Sequence, residues 1–274
     1  MNLRYLSLRL IRHFMSESLA RFLLRQRWVI QPGLESSDPR AAADRYVAAL
    51  AGKDSPISGR RILVFGYGGR FAIGVELLKR GAAHVVLCDH FISLDHERNL
   101  GLLPQHANYL MKEDGVIKPR PEFITLLHGD VRERDIQEKI LRVDCVFSNS
   151  VYEHLDDVGG ITHALAKLTR PDGVHLHFVD LRDHYFKYPF EMLAYSNRVW
   201  KNFLNPSSNL NRFRMNDYKK IFQSEFVRTE VDVLERLGNE FQAARSRIRP
   251  EFLGGDDMVD SVSLIQIFAE KPSG

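Results

Sequence analysis

The chain is short of cysteine, of long apolar runs and of charge of one sign, and each shortage removes a class of protein. Only two cysteines occur in 274 residues. Cys88 lies in HVVLCD and Cys145 in VDCVFSN, both apolar and strand-like, so packed reduced thiols are expected there rather than a disulfide or a thiolate metal site. That usage suits the cytoplasm. The N-terminal segment MNLRYLSLRLIRHF is both apolar and basic, interrupted by Arg4, Arg9 and Arg12. It fits neither an export signal nor a membrane span. The formal net charge of +3 falls well short of the dense basic stripe of a dedicated nucleic-acid binder, so nucleic acid is not an expected partner. The chain holds no G-K-[ST], which removes the phosphate-binding loop. Internal repeats and low-complexity tracts are also lacking.

What is present describes an ordinary folded protein: 44% hydrophobic and 27% charged residues, with length enough to bury a substantial core. Residues 1–30 hold six arginines against a single acid, Glu17. From Leu3 to Trp28 the pattern fits an amphipathic helix. Such a helix packs against the domain or a second subunit of a homodimer, or rests on an anionic membrane surface through residues 1–28. SSDPRAAADRYVAALAG then reads as a helix with Asp38 as cap, Pro39 in the first turn and Gly52 as stop, before a KDSPISG linker. This divides the chain into a helical extension over 1–57 and a main domain over 58–274.

Five apolar runs follow: RILVF, HVVLCD, FITLLHGD, VDCVFSN and VHLHFVD. Helical stretches are expected between them, at Ala72–Arg80, a less regular Leu94–Met111, Ile136–Leu141 and Gly160–Leu168. Strands alternating with helices at this spacing indicate βαβ units and a parallel sheet covered on both faces. The first run ends in glycines, ILVFGYGGRF, which lets a ligand approach the backbone closely. A dinucleotide fingerprint would need a small residue where Phe71 stands, so a nicotinamide-dependent oxidoreductase fits poorly. Beyond the turn come Asp89, 23 residues after Gly66 and closing the second strand, then Asp130 after the third, and SNSVYEHLDD after the fourth.

From Gly59 to Asp180, through ILVFGYGG, VVLCD, LLHGDV, VFSNSVYEHLDD and LTRPDGVHLHF, the chain resembles the class I S-adenosylmethionine-dependent methyltransferases, in particular the group with an EHL-x-D segment after strand four. The last 94 residues match more loosely, NRFRMNDYKKIF resembling the segment before the final helix and SVSLIQIFAEKP the terminal antiparallel strand. The resemblance implies a Rossmann-like fold: a mostly parallel seven-stranded sheet with an antiparallel last strand, here with an N-terminal helical extension and a helical lid. It implies S-adenosyl-L-methionine as cofactor, with Gly66, Gly68 and Gly69 beside it. Asp89 would accept from the ribose hydroxyls, Asp130 and the amide of Val131 would take the adenine, and Ser148 and Asn149 would line the methionine moiety. Each position also has a plainer use: Asp89 as a cap, Asp130 as a turn residue, Ser148 and Asn149 as strand terminators. Two positions depart from the pattern, Val64 standing where an acid is usual and Arg70 where a third alternating glycine is common.

A methyl group on a sulfonium is already activated, so the protein must chiefly align the acceptor and exclude water. A base is needed only when the acceptor loses a proton, and His154 suits that task, with Glu153 or Asp157 to orient it; a structural hydrogen bond is the other use for His154. This favours oxygen as the acceptor atom. In small-RNA 2′-hydroxyl methyltransferases an E-x-x-E-H motif binds a divalent ion, but Ser150 replaces the first glutamate here. His84, His90, His96, His128, His175 and His177 lack paired ligand spacing, so no metal is expected. Between Leu181 and Lys220 stand eight basic and three acidic residues with interleaved aromatics. This reads as a lid over about 181–222, either contacting the acceptor or packed by its own aromatics. Tyr152, Arg182, Tyr185 and Arg212 are candidates for contact with a small-molecule, sugar or glycan acceptor. A reading of another class is a non-catalytic scaffold that docks through the basic helix and lid.

Overall fold

The computed structural model describes residues 2–15, 38–183, 187–205 and 210–273. Among these residues nine strands form in chain order: β1 (Arg61–Phe65), β2 (His84–Asp89), β3 (Leu110–Glu113), β4 (Val116–Pro119), β5 (Ile124–His128), β6 (Val143–Asn149), β7 (Thr169–Asp180), β8 (Phe226–Arg236) and β9 (Val262–Pro272). Seven make one sheet in the order β5-β2-β1-β6-β7-β9-β8. All pairings are parallel except those of β9 with β7 and β8. This is the mixed sheet with an antiparallel last strand that the sequence led us to expect. From β1 the chain moves outward through β2 to β5, then returns to lay β6 on the other side of β1. Ligand crevices in such sheets open at the carboxyl ends of the strands beside this reversal.

Alternation along β1 divides the core. Ile62 and Val64 face a layer built by α2 (Pro39–Ala51), which follows the N-terminal helix α1 (Leu3–Phe14), and by α3 (Ala72–Lys79), where Tyr46 stacks on Phe147 at 4.6 Å. Leu63 and Phe65 face the opposite layer, α4 (Arg134–Ile140), α5 (Val158–Leu168) and α6 (Met215–Glu225). Val64, in the place of the acid, is thus a core residue with no solvent exposure. Asp38 caps α2 by accepting from the amide of Ala41 at 3.0 Å, and Gly52 follows its end.

Two elements differ from expectation. Between Leu94 and Met111 there is no continuous helix, but two short ones, His96–Leu100 and Leu103–His106, and then the β3–β4 hairpin. Asp114 and Gly115 form its turn with φ of 51° and 80°, the left-handed pair a two-residue hairpin requires. The N-terminal helix, α1, covers Leu3–Phe14; the rest of the expected Leu3–Trp28 helix lies outside the described residues.

The lid has a core of its own. Phe190, Met192, Leu193, Trp200, Leu204 and Leu210 pack with Tyr5 of α1 and with Phe241, Ala244 and Ile248 from the β8–β9 connection, which contains α7 (Gly238–Ala244). Three remote segments therefore share one core, in which the stretch expected to be a lid is packed by its own aromatics.

Candidate functional site

The glycine turn leaves the carboxyl end of β1 with Gly66, Gly68 and Gly69 all at positive φ, 74–76°. A Cβ on Gly69 would lie 2.3 Å from the Ser93 carbonyl, so only glycine fits there. Asp89, at the end of the adjacent β2, is nearly buried and faces this turn. Its Oδ2 accepts from the Gly68 amide at 3.1 Å, and its Oδ1 from the amides of Phe91 and Ile92 at 3.0 and 2.9 Å. The carboxylate is thus fixed by three backbone donors, with one Oδ2 lone pair position left over. Asn99, which the sequence reading did not single out, braces the turn from behind. Its Oδ1 accepts from the Phe71 amide at 2.9 Å and its Nδ2 donates to the Gly69 carbonyl at 3.0 Å. Gly74 of α3 lies against Leu87 and Ile124, so the close helix-to-strand approach occurs three residues after Phe71.

At the end of β6 the two candidate side chains point to opposite layers. Asn149 faces α2, where Arg45 donates to its Oδ1 at 3.4 Å and stacks 3.5 Å above the Phe178 ring. Among the described residues no carboxylate pairs with Arg45, and partial burial lowers its pKa. It is a cation held at the carboxyl ends of β6 and β7 without a counter-charge. One of two arginines within an alanine-rich helix, it carried no signal in the sequence.

Ser148 faces the other layer and is fully buried. Thr169 Oγ1 donates to the Leu165 carbonyl at 2.8 Å, so it must accept from His175 Nε2, also at 2.8 Å. His175 Nδ1 is then an acceptor and takes the proton of His177 Nε2 at 3.1 Å, which leaves His177 Nδ1 to accept from Ser148 Oγ at 2.7 Å. Both imidazoles are neutral, because burial drives the pKa of His175 down to about 3 and that of His177 well below its ordinary value. Ser148 is therefore a tethered donor beneath the sheet's end.

Tyr152, expected to contact the acceptor, is a core residue. It is fully buried, with its ring 4.6 Å from His177 and 5.4 Å from Phe222. It opens the single 3-10 turn Tyr152–His154 that leads from β6 toward α5. Glu153, beside it, has both carboxyl oxygens buried with no hydrogen-bond partner among the described residues. Burial, reinforced by Asp180 and opposed by nearby amides and Arg182, raises its pKa well above the carboxyl range. His154 ends the turn and is partly exposed. Asn211 ties the lid to this turn: its amide donates to the Glu153 carbonyl at 2.9 Å, and its Nδ2 to the carbonyls of Tyr152 and Leu155 at 2.7 and 3.1 Å.

The remaining candidates are more dispersed. Asp130 is clamped by Arg132, whose side chain also reaches Asp157 at 2.9 Å; this bonding holds the Asp130 carboxyl below its usual range. Val131 is buried next to it. Arg182 pairs with Asp180 at 2.7 Å and Glu235 at 3.1 Å. Arg212, buried at a φ of 65°, donates to the carbonyls of Met192 and Tyr195 at 3.0 and 2.7 Å and lies between Trp200 and Phe252. Desolvation lowers its pKa to about 10. Its contacts hold the lid's interior together rather than facing an acceptor. Tyr185 lies outside the described residues. Among the described residues no three His, Cys, Asp or Glu side chains are grouped to hold a metal ion.

No protein-family model matches the chain, and no curated protein matches its sequence. Solved structures do. A geranyl diphosphate methyltransferase in complex with SAM is similar over 85% of this chain and 85% of its own, at 12% identity and a TM-score of 0.51. The Burkholderia thailandensis 1,6-didemethyltoxoflavin-N1-methyltransferase, with bound 1,6-didemethyltoxoflavin and S-adenosylhomocysteine, is similar over 93% and 86%, at 15% identity and 0.50. A CurJ carbon methyltransferase is similar over 85% of this chain at 13% identity and 0.48, and the chain spans about half, 54%, of that protein. The architecture is thus the Rossmann-like fold of class I methyltransferases.

Proposed function

We propose that the protein is an S-adenosylmethionine-dependent methyltransferase that methylates an oxygen of a small-molecule, sugar or glycan acceptor. The observation that carries this reading is the three-glycine turn closed by a pre-positioned Asp89, at the strand ends where this fold opens. Two of the similar solved structures carry SAM or S-adenosylhomocysteine.

The residues present suit that cofactor. Asp89 keeps an Oδ2 lone pair for a ribose hydroxyl, and the glycines Gly66, Gly68 and Gly69 admit a ligand free of phosphate. Arg45 has no counter-charge among the described residues and Asn149 lies beside it; together they suit the carboxylate and amine of the methionine end, which Val64 cannot serve. Ser148, its proton committed to His177, adds only an acceptor. Asp130 and the amide of Val131 take the adenine, Asp130 with the lone pairs that Arg132 leaves. When bound, the cofactor supplies a methyl group already activated by its sulfonium. The protein's task is to hold the acceptor in line and keep water out, with His154 receiving the hydroxyl proton. Arg182 sits at the foot of the lid, where it fits an acceptor's polar group.

Calorimetric titration with S-adenosylmethionine, S-adenosylhomocysteine and NAD tests this. Binding of the first two and not the third is expected. Asp89→Ala should abolish it, Arg45→Leu should weaken it about tenfold, the loss of roughly 1.4 kcal/mol, and His154→Ala should bind normally but turn over slowly. Failure of both sulfur cofactors would end the proposal in favour of a binding scaffold.

A further inference from the structure

Helix α1 has two unlike faces. Tyr5 and Arg9 are buried against the lid: the Tyr5 hydroxyl donates to Asp183, Arg9 forms an ion pair with the same carboxylate, and its guanidinium lies 4.7 Å from the Trp200 ring centroid. At about 100° per residue, Leu3, Phe14 and Ile11 fall within one arc on the other side. They are 68%, 83% and 60% exposed. Arg4 is exposed in the same arc. The turn that α1 packs against adds exposed Val199 and Phe203, flanked by exposed Arg198 and Lys201.

An apolar face alone does not say what covers it, but the charge here does. LRYLSLRLIRHF contains no acidic residue, and Glu17 is the only one in residues 1–30 against six arginines. A second copy docking through the same face would bring this cationic helix against itself. An anionic surface meets both requirements, accepting the apolar side chains at its boundary and pairing with exposed Arg4, Arg198 and Lys201. No helix among the described residues is long and apolar enough to cross a membrane, so contact of this kind lies in the interface plane.

We propose that the outer face of α1, with Leu3, Ile11, Phe14 and Arg4, docks the protein on an anionic lipid bilayer. The same helix is fixed through Tyr5 and Arg9 to Asp183, at the start of the lid. The docked surface and the lid therefore move as one piece. This inference does not depend on the methyl-transfer reading.

Co-sedimentation of the full chain with vesicles tests it. The wild-type protein should partition at least tenfold more strongly onto mixed phosphatidylglycerol and phosphatidylcholine vesicles than onto phosphatidylcholine alone, and raising the salt to roughly 0.5 M should remove most of that preference. Ile11→Ser with Phe14→Ser should lower partitioning at least tenfold with circular dichroism and melting temperature unchanged. Val227→Ser, at an exposed apolar residue of β8, should change nothing. Equal partitioning of the wild type and the double serine variant overturns the proposal. So does a wild-type dimer that the double variant dissolves without any vesicle binding, which would assign the face to a second copy.

Discussion

Lowering the pH from 6.5 to 5 should destabilise this protein through two imidazoles far from solvent. His175 and His177 stay neutral in the fold because burial holds both pKa values far below the ordinary 6.5, His175 at about 3. In the unfolded chain both take up a proton as the pH falls through about 6.5, while in the native state neither does. Stability is therefore lost with acid, at about 1.4 kcal/mol per pH unit for each fully uncoupled group. Two groups give roughly 3 kcal/mol per unit. Glu153 acts the other way: its pKa is raised in the fold, so over the same range the native state binds the extra proton and recovers about 1.4 kcal/mol per unit. The net expectation is a loss of about 2 kcal/mol between pH 6.5 and 5. Carboxylates held low by arginines, such as Asp130, titrate below this window. Urea denaturation at a series of pH values measures the slope. His175→Asn with His177→Asn should reverse its sign, and Glu153→Gln should roughly double it. A wild-type slope equal to that of the double asparagine variant would refute the assignment of two neutral, linked imidazoles.

Other outcomes follow from single contacts. Asn99→Ala strands the Phe71 amide, a buried unpaired donor costing roughly 1–3 kcal/mol, while the Gly69 carbonyl keeps the Asp95 amide at 3.0 Å; a loss of about 1–3 kcal/mol is expected by urea denaturation, and a loss below about 0.5 kcal/mol would show that the turn holds without its brace. Asp183→Asn leaves Arg9 buried without its counter-charge, a defect of about 3–5 kcal/mol. It should release α1 and speed tryptic cleavage at Arg9 at least tenfold while the sheet's hydrogen-exchange protection persists; unchanged cleavage would mean that Tyr5 and Trp200 suffice to seat the helix.

The sheet was readable because its strands are buried on both faces, so RILVF, HVVLCD and VDCVFSN stand out as continuous apolar runs. The glycine turn was readable for a related reason: left-handed backbone at three of four positions demands glycine itself. The hairpin after the second strand was also within reach, since Asp114-Gly115 between LMKE and VIKP is a strong turn signal; an irregular apolar pattern over Leu94–Met111 obscured it. The site's polar wiring was not legible. Ser148 could be placed at a strand end, but its partner is fixed by register with His177 on β7. Arg45 gains meaning only because α2 folds back over Asn149 and Phe178. Tyr152 and Arg212 have the composition of ligand contacts, yet packing consumes both, one under α6 and the other inside the lid. Glu153 drew less notice than His154 next to it, because burial without a partner cannot be seen in a linear string.

The cluster that holds Tyr5, Trp200 and Phe241 joins segments near 5, near 200 and near 245 in a core separate from the two layers on the sheet. Closing such distant loops is slow and yields contacts only once all three segments have met. A separate core of this kind is expected to loosen without unpairing the sheet, whose own distant pairings, β1 with β6 and β7 with β9, are held by backbone hydrogen bonds. Cores of unequal tenacity give the protein two thresholds, a low one for loosening this cluster and a high one for losing its shape.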